Sequence, residues 1–557
     1  MNEPRVVIDE ADVLHLVEAI GDGDEGGNGA IDGAPSLRVP VEVRVSVDDP
    51  FLAYRRARDD SGGAFFETTG GQSGWGYFGV EPVERVTVGA DAEICPIESA
   101  GQPPITAEES EATIDTPETI SPTLAALEGL LETATLVRGD CDVPYPCGVL
   151  GWLSYDVARE LESLPGSAVD DRGLPRLEVG LFDRLAAWEC PVDDGPVTLR
   201  VTACPRIHRE ELLEDGELED NWEDVATATY ERGRERALEL ARSAVEGDPT
   251  VGSPAVAAPD ATFESTCGRE AFADRVRRVK EYVRDGDTFQ ANISQRLAAP
   301  AAVNPVAAYD ALREVNPAPY SCLFEGRAAD LVSASPELLL ERDGDFVRTE
   351  PIAGTRTRGG TKAEDEALEA DLLGDDKERA EHAMLVDLER NDFGKICAYG
   401  SVDVSEYRRV DRYSEVMHLV SNVTGRLRPD ASLADAIAAT FPGGTITGAP
   451  KPRTMEIIDE LEDTRRGPYT GGVGIFGFDG RATINIIIRT LVRYEDEYHL
   501  RVGAGIVHDS DPYREYDETL AKAQALLNAI NAALGERAGM AVSLEAGVGV
   551  EEGENDD

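Results

Sequence analysis

Lysine is scarce in this sequence of 557 residues, and positive charge of any kind is in the minority. Lysine and arginine together number 53, against 108 aspartates and glutamates, which gives a formal net charge of −55. Nucleic-acid backbones are bound by clustered cations, so this balance argues against a nucleic-acid partner. The acidic residues are spread through segments that also contain apolar residues. This pattern is typical of the solvated acidic surface of proteins from salt-accumulating halophiles.

Long hydrophobic runs and paired cysteines are also lacking. No stretch reaches the roughly 18 consecutive apolar residues that a membrane-spanning helix needs, so we expect no membrane partner. The first residues, MNEPRVVIDEADVL, are acidic and have no apolar signal-peptide core, which indicates a cytoplasmic protein. The eight cysteines are scattered without any C-x-x-C pair. We therefore expect free thiols in a reducing compartment rather than a zinc site or disulfides.

Hydrophobic residues make up 41% of the chain, enough for a large core. Strand-like and helix-like patterns are mixed without a regular βαβ alternation, which predicts an α+β fold. Loose segments rich in Gly, Pro or acidic residues cover 20–35, 96–121 and 243–261. We therefore expect an N-terminal region over 1–240 with acidic insertions, a second region over 262–535, and an acidic tail over 536–557.

Apolar periodicity also predicts individual elements. Alternating or continuous apolar runs predict one strand each over 37–46, 177–189 and 482–492. Helical periodicity predicts long helices over 269–285 and 515–534.

Two pairs of acidic residues stand out. Glu378 and Glu381 are three residues apart, as are Glu515 and Glu518, so each pair shares one helix face. The two pairs could converge on Mg²⁺, with one carboxylate of each pair bound directly and the other through water. In so acidic a chain, a solvated helix face is the simpler interpretation of either pair taken alone.

Three glycine-rich turns, 351–356, 441–451 and 503–505, would let backbone N–H groups approach an anion, although turn formation alone also explains them. Arg489 ends an apolar run, which is typical of a carboxylate clamp or of an arginine that reaches solvent from an edge strand. His418 stands alone in an apolar stretch, where a hydrogen-bonded core histidine is the simpler interpretation.

Taken in order, eight segments resemble the chorismate-utilising enzymes, a family that contains anthranilate synthase component I, aminodeoxychorismate synthase component I, isochorismate synthase and salicylate synthase. The resemblance is dense over 262–535 and weaker towards the N-terminus, where it rests on FFET (65–68), WGYFGVEP (75–82) and GVLGWLSYDVARELE (148–162). The eight segments are SPELLLE (335–341), PIAGTRTRG (351–359), DKERAEHAMLVDLERNDFG (376–394), HLVSNVTG (418–425), FPGGTITGAPKPRTMEII (441–458), GPYTGGVGIFGFDG (467–480), INIIIRT (484–490) and GAGIVHDSDPYREYDETLAKAQA (503–525).

The resemblance implies a large two-sheet α/β sandwich of the anthranilate synthase component I type, with the active site between the sheets. It implies that Mg²⁺ binds the ring carboxylate of chorismate. Glu381 and Glu518 would be the direct ligands of this ion, and Glu378 and Glu515 would bind it through water.

The resemblance also implies roles for the residues around the substrate. Glu337 would be the general acid that protonates the leaving 4-hydroxyl, and His418 would orient the ring. Thr355 and the surrounding turn, with Ala353, would line the substrate. The enolpyruvyl carboxylate would be bound by Arg489, Tyr469 and backbone N–H groups near Gly503 and Gly505.

The nucleophile separates the subfamilies. Family members that use water carry a lysine base at the position of Gln290, and a glutamine cannot deprotonate water. This favours ammonia as the nucleophile. The chain shows no Gly-x-Cys-x-Gly elbow of a glutaminase, so we expect a separate glutamine amidotransferase subunit to supply the ammonia.

Two ammonia-using activities remain. Thr447, Asn485, the NPAPYS run (316–321) and the FFET run, which stands where anthranilate synthases carry a tryptophan-binding LLES motif, resemble aminodeoxychorismate synthase component I, which aminates C4. Ala353 resembles anthranilate synthase component I, because many aminodeoxychorismate synthases carry a nucleophilic lysine there. We favour C4 amination in the 4-aminobenzoate and folate pathway. The alternative is C2 amination with loss of pyruvate in tryptophan biosynthesis, and a non-catalytic chorismate sensor is a third interpretation.

Overall fold

The computed structural model describes residues 3–21, 34–59, 61–90, 94–97, 121–192, 195–214, 217–257, 262–412 and 416–534. The acidic tail expected over 536–557 and most of the loose segments expected over 20–35 and 96–121 lie outside these ranges. Within them, no helix is long and apolar enough to cross a membrane.

Two large, mostly antiparallel sheets form the centre of the molecule. The first sheet has thirteen strands among the described residues. In spatial order its strands are Arg5–Val6, Val41–Val47, Val197–Ala203, Arg184–Cys190, Gly74–Val80, Gly63–Glu67, Tyr320–Phe324, Asp330–Ser335, Thr490–Tyr494, Glu497–Ile506, Gln290–Pro300 and Glu264–Ser265, with Gly448–Ala449 paired to Gln290–Pro300.

The second sheet has eleven described strands. In spatial order they are Ile352–Thr357, Val416–Arg426, Phe346–Thr349, Leu338–Asp343, Ala482–Ile486, Gly472–Phe476, Gly148–Leu153, Leu177–Phe182, Glu84–Val88 and Ile94–Ile97, with Asp403–Arg412 paired to Val416–Arg426. Two small sheets contain Arg206–His208, Ser36–Arg38 and Thr135–Leu136, and Leu213–Glu214 and Glu217–Leu218.

Helices cover the outer faces of both large sheets. The α-helices are Glu10–Gly21, Pro50–Ala57, Pro122–Leu131, Ala158–Leu161, Arg209–Leu212, Trp222–Glu246, Gly268–Asp285, Pro305–Val315, Lys362–Gly374, Asp376–Ile396, Leu433–Thr440, Lys451–Leu461 and Pro512–Leu534. Single 3₁₀ turns lie at Tyr155–Val157 and Gly444–Ile446.

Side-chain alternation along the strands decides which core each residue joins. On Gly148–Leu153, Leu150 and Trp152 point into the layer between the two sheets, while Val149 and Leu153 point to the outer helices. The middle layer contains buried side chains from both sheets, such as Tyr77 and Trp152. Because successive strand residues face opposite ways, each sheet contributes one face to this middle layer and one to a helix-covered layer. The predicted α+β fold with two face-to-face sheets is confirmed.

Some strands differ from the sequence expectation. The runs 177–189 and 482–492 are not single strands, because each is split between the two sheets. The first crosses at residue 183 and the second at 487–489, and a third short crossing lies at 336–337. The apolar pattern hides these crossings because the strands on both sides are buried on both faces. The run 37–46 is similarly divided between Ser36–Arg38 and Val41–Val47.

Strands from both halves of the chain lie in the same sheets. In the second sheet, Gly148–Leu153 pairs antiparallel with Gly472–Phe476, and in the first sheet Gly63–Glu67 pairs with Tyr320–Phe324. The two sequence regions, 1–240 and 262–535, therefore contribute to shared sheets, and the site described below is built where those sheets meet.

Candidate functional site

The predicted acid Glu337 and the predicted carboxylate clamp Arg489 lie side by side, because each sits in a crossing between the sheets. The backbone N–H of Ile486 donates to the carbonyl of Glu337 over 3.0 Å, and the N–H of Ala334 donates to the carbonyl of Arg489 over 3.2 Å. Arg489 has a left-handed φ of 51°, which breaks the extended backbone at this point. The sandwich thus brings together two residues that lie about 150 positions apart in the sequence.

Glu337 is a buried carboxylic acid in this crossing, and only 5% of the residue is exposed. Burial raises its pKa to about 8, and the charge of Glu389 adds to the rise. The Thr445 hydroxyl, the Ile352 backbone N–H and the Arg489 charge oppose the rise. Since desolvation disfavours the charged form of a carboxyl, Glu337 is mainly protonated at pH 7 and holds a proton to donate.

His418 is neutral and oriented by the neighbouring strand. Its Nδ1 lies 3.1 Å from the Thr355 hydroxyl, its partner in the strand register, and 3.1 Å from the Gly354 carbonyl. Burial lowers the pKa of His418 to about 4, and the Arg489 charge lowers it further. Because a carbonyl can only accept a hydrogen bond, Nδ1 carries the proton and Nε2 carries the lone pair.

Tyr469 lies over the strand Glu497–Ile506 at its glycines. A Cβ added to Gly503 would lie 2.8 Å from the Tyr469 hydroxyl oxygen. The backbone next to Tyr469 is joined to the crossing that carries Arg489, since Thr470 N–H donates to the Ile487 carbonyl over 2.8 Å. The absence of a side chain at Gly503 therefore lets Tyr469 and Arg489 share one end of the site.

Gln290 lies opposite this end on the neighbouring strand. A Cβ on Gly505 would collide with its side-chain amide nitrogen. This nitrogen, Nε2, donates to Glu381 Oε1 over 3.0 Å, while the amide oxygen is buried and accepts no hydrogen bond from any residue that the structure describes. A buried acceptor without a donor is costly, so the Gln290 oxygen is suited to receive a donor from a bound molecule.

The predicted carboxylate pairs border the same site. Helix Asp376–Ile396 brings Glu381 to Gln290, and Glu378 forms an ion pair with Arg356 over 3.2 Å. Burial raises the pKa of Glu381, and the charge of Glu378 raises it further. In the same way burial and then Glu518 raise the pKa of Glu515. Within each pair one carboxylate therefore raises the pKa of the other, while Arg356 pairs with Glu378 and Lys522 pairs with Glu518.

The four carboxylates form two separate pairs on the helices Asp376–Ile396 and Pro512–Leu534. Among the described residues, no group of three or more His, Cys, Asp or Glu side chains lies close enough to hold a metal ion by itself. Mg²⁺ takes oxygen ligands and is usually held by one or two carboxylates, water and substrate oxygens rather than by a closed protein cage. Two separate glutamate pairs are compatible with that mode of binding.

Two further residues of the site were missed by the sequence analysis. Lys522 Nζ lies 2.9 Å from Glu518 and donates to the Gly503 carbonyl over 3.0 Å. It is one of only six lysines and lies four residues after Glu518, and this spacing was the available signal. Glu389, two helical turns beyond Glu381, is buried and faces Glu337. Lys451 forms a buried ion pair with Asp392, so its amine is occupied structurally.

Of the thirteen predicted site residues, Tyr469 lies beside Gly503, and Gln290 contacts Glu381 and lies beside Gly505. His418 and Thr355 are bonded to each other on the second sheet, where Ala353 lies on the strand Ile352–Thr357. A cavity of about 550 Å³ lies elsewhere between the sheets and has none of these thirteen residues in its lining. It is bordered by Glu67, Thr68 and Trp75, and the Glu67 carboxylate already pairs with Arg313 over 2.9 Å. The chemistry of the candidate site therefore does not depend on this larger cavity.

Comparison with known proteins gives the same family. The model of the family described as chorismate binding enzyme matches residues 89–528. Anthranilate synthase component 1 of Haloarcula marismortui is 64% identical over 513 residues, which cover 92% of this chain and 96% of that protein. Aminodeoxychorismate synthase component 1 of Bacillus subtilis is 41% identical over 384 residues, covering 69% of this chain and 77% of that protein.

A solved structure shows the same fold. The crystal structure of anthranilate synthase component I from Streptococcus pneumoniae superposes with a TM-score of 0.62 at 28% identity, covering 81% of this chain and 92% of that one. The halophile-like composition agrees with the relative from Haloarcula marismortui.

Proposed function

The chain belongs to the chorismate-binding enzyme family, and we propose that it is the component I subunit of an anthranilate synthase, which converts chorismate and ammonia into anthranilate and pyruvate. This is the alternative of the sequence analysis rather than its favoured interpretation. The comparisons favour it over aminodeoxychorismate synthase, since 64% identity over 92% of the chain stands against 41% over 69%.

The observation that carries the proposal is this similarity, and Ala353 supports it. Its side chain is a methyl group in the second sheet, in register with Leu419. A methyl group cannot act as the ring-attacking nucleophile that the lysine of many aminodeoxychorismate synthases provides. Thr447, which pointed to C4 amination, has a structural role here, because its hydroxyl donates to the Gly443 carbonyl over 2.9 Å.

In the proposed reaction, ammonia bonds to C2 of the ring while the 4-hydroxyl leaves as water, and pyruvate is then expelled. Departure of the hydroxyl needs a proton at its oxygen. Glu337 carries one at neutral pH because burial raises its pKa to about 8. A positioned acid of this kind contributes typically 10²–10⁴-fold to a rate.

Charge in the site matches a substrate with two carboxylates. Arg489 and the Tyr469 hydroxyl, beside Gly503, would hold the enolpyruvyl carboxylate at one end. Glu381 and Glu518, assisted by Glu378 and Glu515, would hold Mg²⁺ at the other. The ion would supply positive charge for the ring carboxylate.

Gln290 supports ammonia as the nucleophile. Its amide cannot take a proton from water, but its buried oxygen can accept a hydrogen bond from an N–H group. Its nitrogen is fixed by Glu381, so the oxygen has one orientation. Ammonia would come from a separate glutamine amidotransferase subunit, since the relatives are named as component 1.

The decisive experiment is product identification. The purified chain is incubated with chorismate, MgCl₂ and ammonium chloride in molar KCl, and the products are analysed by mass spectrometry and by the fluorescence of anthranilate. We expect anthranilate and pyruvate in equal amounts. An amino-chorismate that retains the enolpyruvyl group would contradict the proposal and restore C4 amination.

Two variants make the test specific. Glu381→Gln removes one carboxylate of the proposed metal site and is expected to abolish turnover with the circular dichroism spectrum unchanged. Glu366→Gln is the matched control, because Glu366 lies exposed on the neighbouring helix Lys362–Gly374 and pairs only weakly with Lys362. Full activity in Glu381→Gln would refute the assignment of that carboxylate.

A further inference from the structure

Behind Tyr469 lies a buried cluster of arginines that the proposed reaction does not use. A small cavity of about 10 Å³ is lined by four of them together with aromatic, aliphatic and hydroxyl side chains. The arginines are Arg172, Arg296, Arg466 and Arg501, and their side chains are 7%, 11%, 2% and 7% exposed. We refer to these four residues as the arginine cluster.

Strand register places two of these cations directly opposite each other. Arg296 on Gln290–Pro300 is the cross-strand partner of Arg501 on Glu497–Ile506. Directly opposed side chains lie on the same face of the sheet, and like charges in that arrangement destabilise it. Arg172 lies outside these two strands. Its Nη1 is 3.5 Å from Nδ1 of His499, which lies two residues before Arg501 and therefore on the same face of the strand Glu497–Ile506.

The carboxylates in contact with the cluster are too few to balance it. Glu462 accepts from Arg466 over 2.8 Å and from Arg501 over 3.0 Å. Asp171 pairs with Arg296 over 2.5 Å and lies 3.7 Å from Arg172. Four cations thus face two anions.

The other titratable groups nearby do not close this gap. Asp156 attracts Arg172 but is itself paired with Arg159 over 3.0 Å. Burial lowers the pKa of His499, so its ring is neutral at pH 7, and Glu497 bonds to that ring. Burial and the charges of Arg501 and Arg296 lower the pKa of Arg172 to about 10, which leaves it charged at neutral pH.

Hydrogen-bond donors in the cluster are unused. Arg296 Nε and Nη1 and Arg501 Nε are buried and donate to no residue that the structure describes. A guanidinium cannot lose its proton to escape this cost, since its pKa stays above neutral. A buried donor without an acceptor is costly, and the excess of positive charge in the cluster favours an acceptor that carries negative charge.

We propose that this cavity binds one monoatomic anion of the chloride class, held by the unused N–H groups of Arg296 and Arg501 between the two sheets. A cavity of this size holds one water-sized particle, so sulfate, phosphate and the carboxylates of the substrate are too large. The anion neutralises positive charge behind Tyr469 and joins the strands Gln290–Pro300 and Glu497–Ile506 to the loop at Asp171.

Bromide diffraction tests the site directly. Crystals of the full chain are grown in KBr, and data are collected at the bromine absorption edge. The expected result is an anomalous peak inside the cavity, between Arg296 and Arg501. A cavity that contains only an ordered water, without anomalous signal, overturns the proposal.

Thermal unfolding tests it in solution. The unfolding midpoint is measured in chloride and in gluconate at equal potassium concentration, because gluconate is too large for the cavity. We expect chloride to raise the midpoint with saturation, as binding to the folded state requires. Arg296→Gln is expected to lose this shift.

The matched control is Arg493→Gln, which removes a guanidinium from the neighbouring strand Thr490–Tyr494, where it pairs with Asp330. This variant should keep the chloride shift. A shift that grows without saturation, or that is undiminished in Arg296→Gln, would show a general salt effect and overturn the proposal. Neither readout depends on enzymatic activity, so failure here leaves the proposed function standing.

Discussion

Replacing Glu337 by glutamine should slow catalysis strongly and at the same time make the protein more stable than the wild type in mild alkali. The amide has nearly the same shape as the carboxylic acid but cannot give its proton to a leaving oxygen. We therefore expect turnover to fall roughly 100- to 10,000-fold, the range for loss of a general acid. The second effect follows from burial, because the wild-type carboxyl must ionise inside the protein as pH rises.

The magnitude follows from the pKa. Burial raises the pKa of Glu337 from 4.5 to about 8. Between these values the folded state keeps the proton and the unfolded state has lost it, so the free energy of unfolding falls as pH rises. The fall is about 1.4 kcal/mol per pH unit and about 5 kcal/mol in total. The stabilising contribution is complete below the unfolded-state pKa and is lost as pH approaches 8.

Urea unfolding at constant KCl, at pH 6, 7, 8 and 9, measures this difference. The free energy of unfolding of Glu337→Gln minus that of the wild type should increase with pH up to about 8 and then stay constant. The exposed Glu366→Gln should differ little from the wild type at any pH. A difference for Glu337→Gln that is independent of pH would refute the argument, since Glu337 would then be ionised at neutral pH and could not donate.

Three more substitutions test other parts of the site. If Glu337 is the acid, kcat/KM falls in alkali as Glu337 loses its proton. Glu389→Gln removes a charge that raises the pKa of Glu337, so this fall should move to lower pH. An unmoved pH profile would contradict the coupling. Gly503→Ala places a methyl group 2.5 Å from Asn292 Oδ1 and 2.8 Å from the Tyr469 hydroxyl. KM for chorismate should therefore rise roughly tenfold, or about 1.4 kcal/mol; an unchanged KM would mean that this end of the site does not bind the substrate. Glu462→Gln removes the charge and the two buried hydrogen bonds that Glu462 Oε2 accepts from Arg466 and Arg501. Urea unfolding should show a loss of about 3–5 kcal/mol; a loss below 1 kcal/mol would mean that the charge is dispensable.

Ordered motifs made the family predictable from the sequence, but they could not predict which segments change sheets. The run 482–492 is apolar on both sides of its crossing, so periodicity predicts one strand. The structure instead turns the backbone at Arg489 through a left-handed φ of 51°. That turn brings Arg489 beside Glu337, a placement that depends on long-range pairing and not on local pattern.

Charge partners were also beyond the reach of the sequence alone. Glu378 and Glu381 were predicted from their spacing, but the contact of Glu381 with Gln290 arises only when helix Asp376–Ile396, which packs on the second sheet, meets a strand of the first sheet. Glu389 has no distinctive spacing in a chain with 108 acidic residues. Its burial next to Glu337 is a tertiary property, since it depends on the loop at Gly444 donating a backbone N–H over 3.2 Å.

The pairing of Gly148–Leu153 with Gly472–Phe476 has a consequence for how the protein is made. During synthesis the earlier strand emerges roughly 300 residues before its neighbour. At about 5–20 residues per second, one edge of that strand stays without its partner for roughly 15 to 60 s. An open, apolar strand edge is a template for pairing with other chains. Newly made copies should therefore depend on chaperones until residue 476 has left the ribosome.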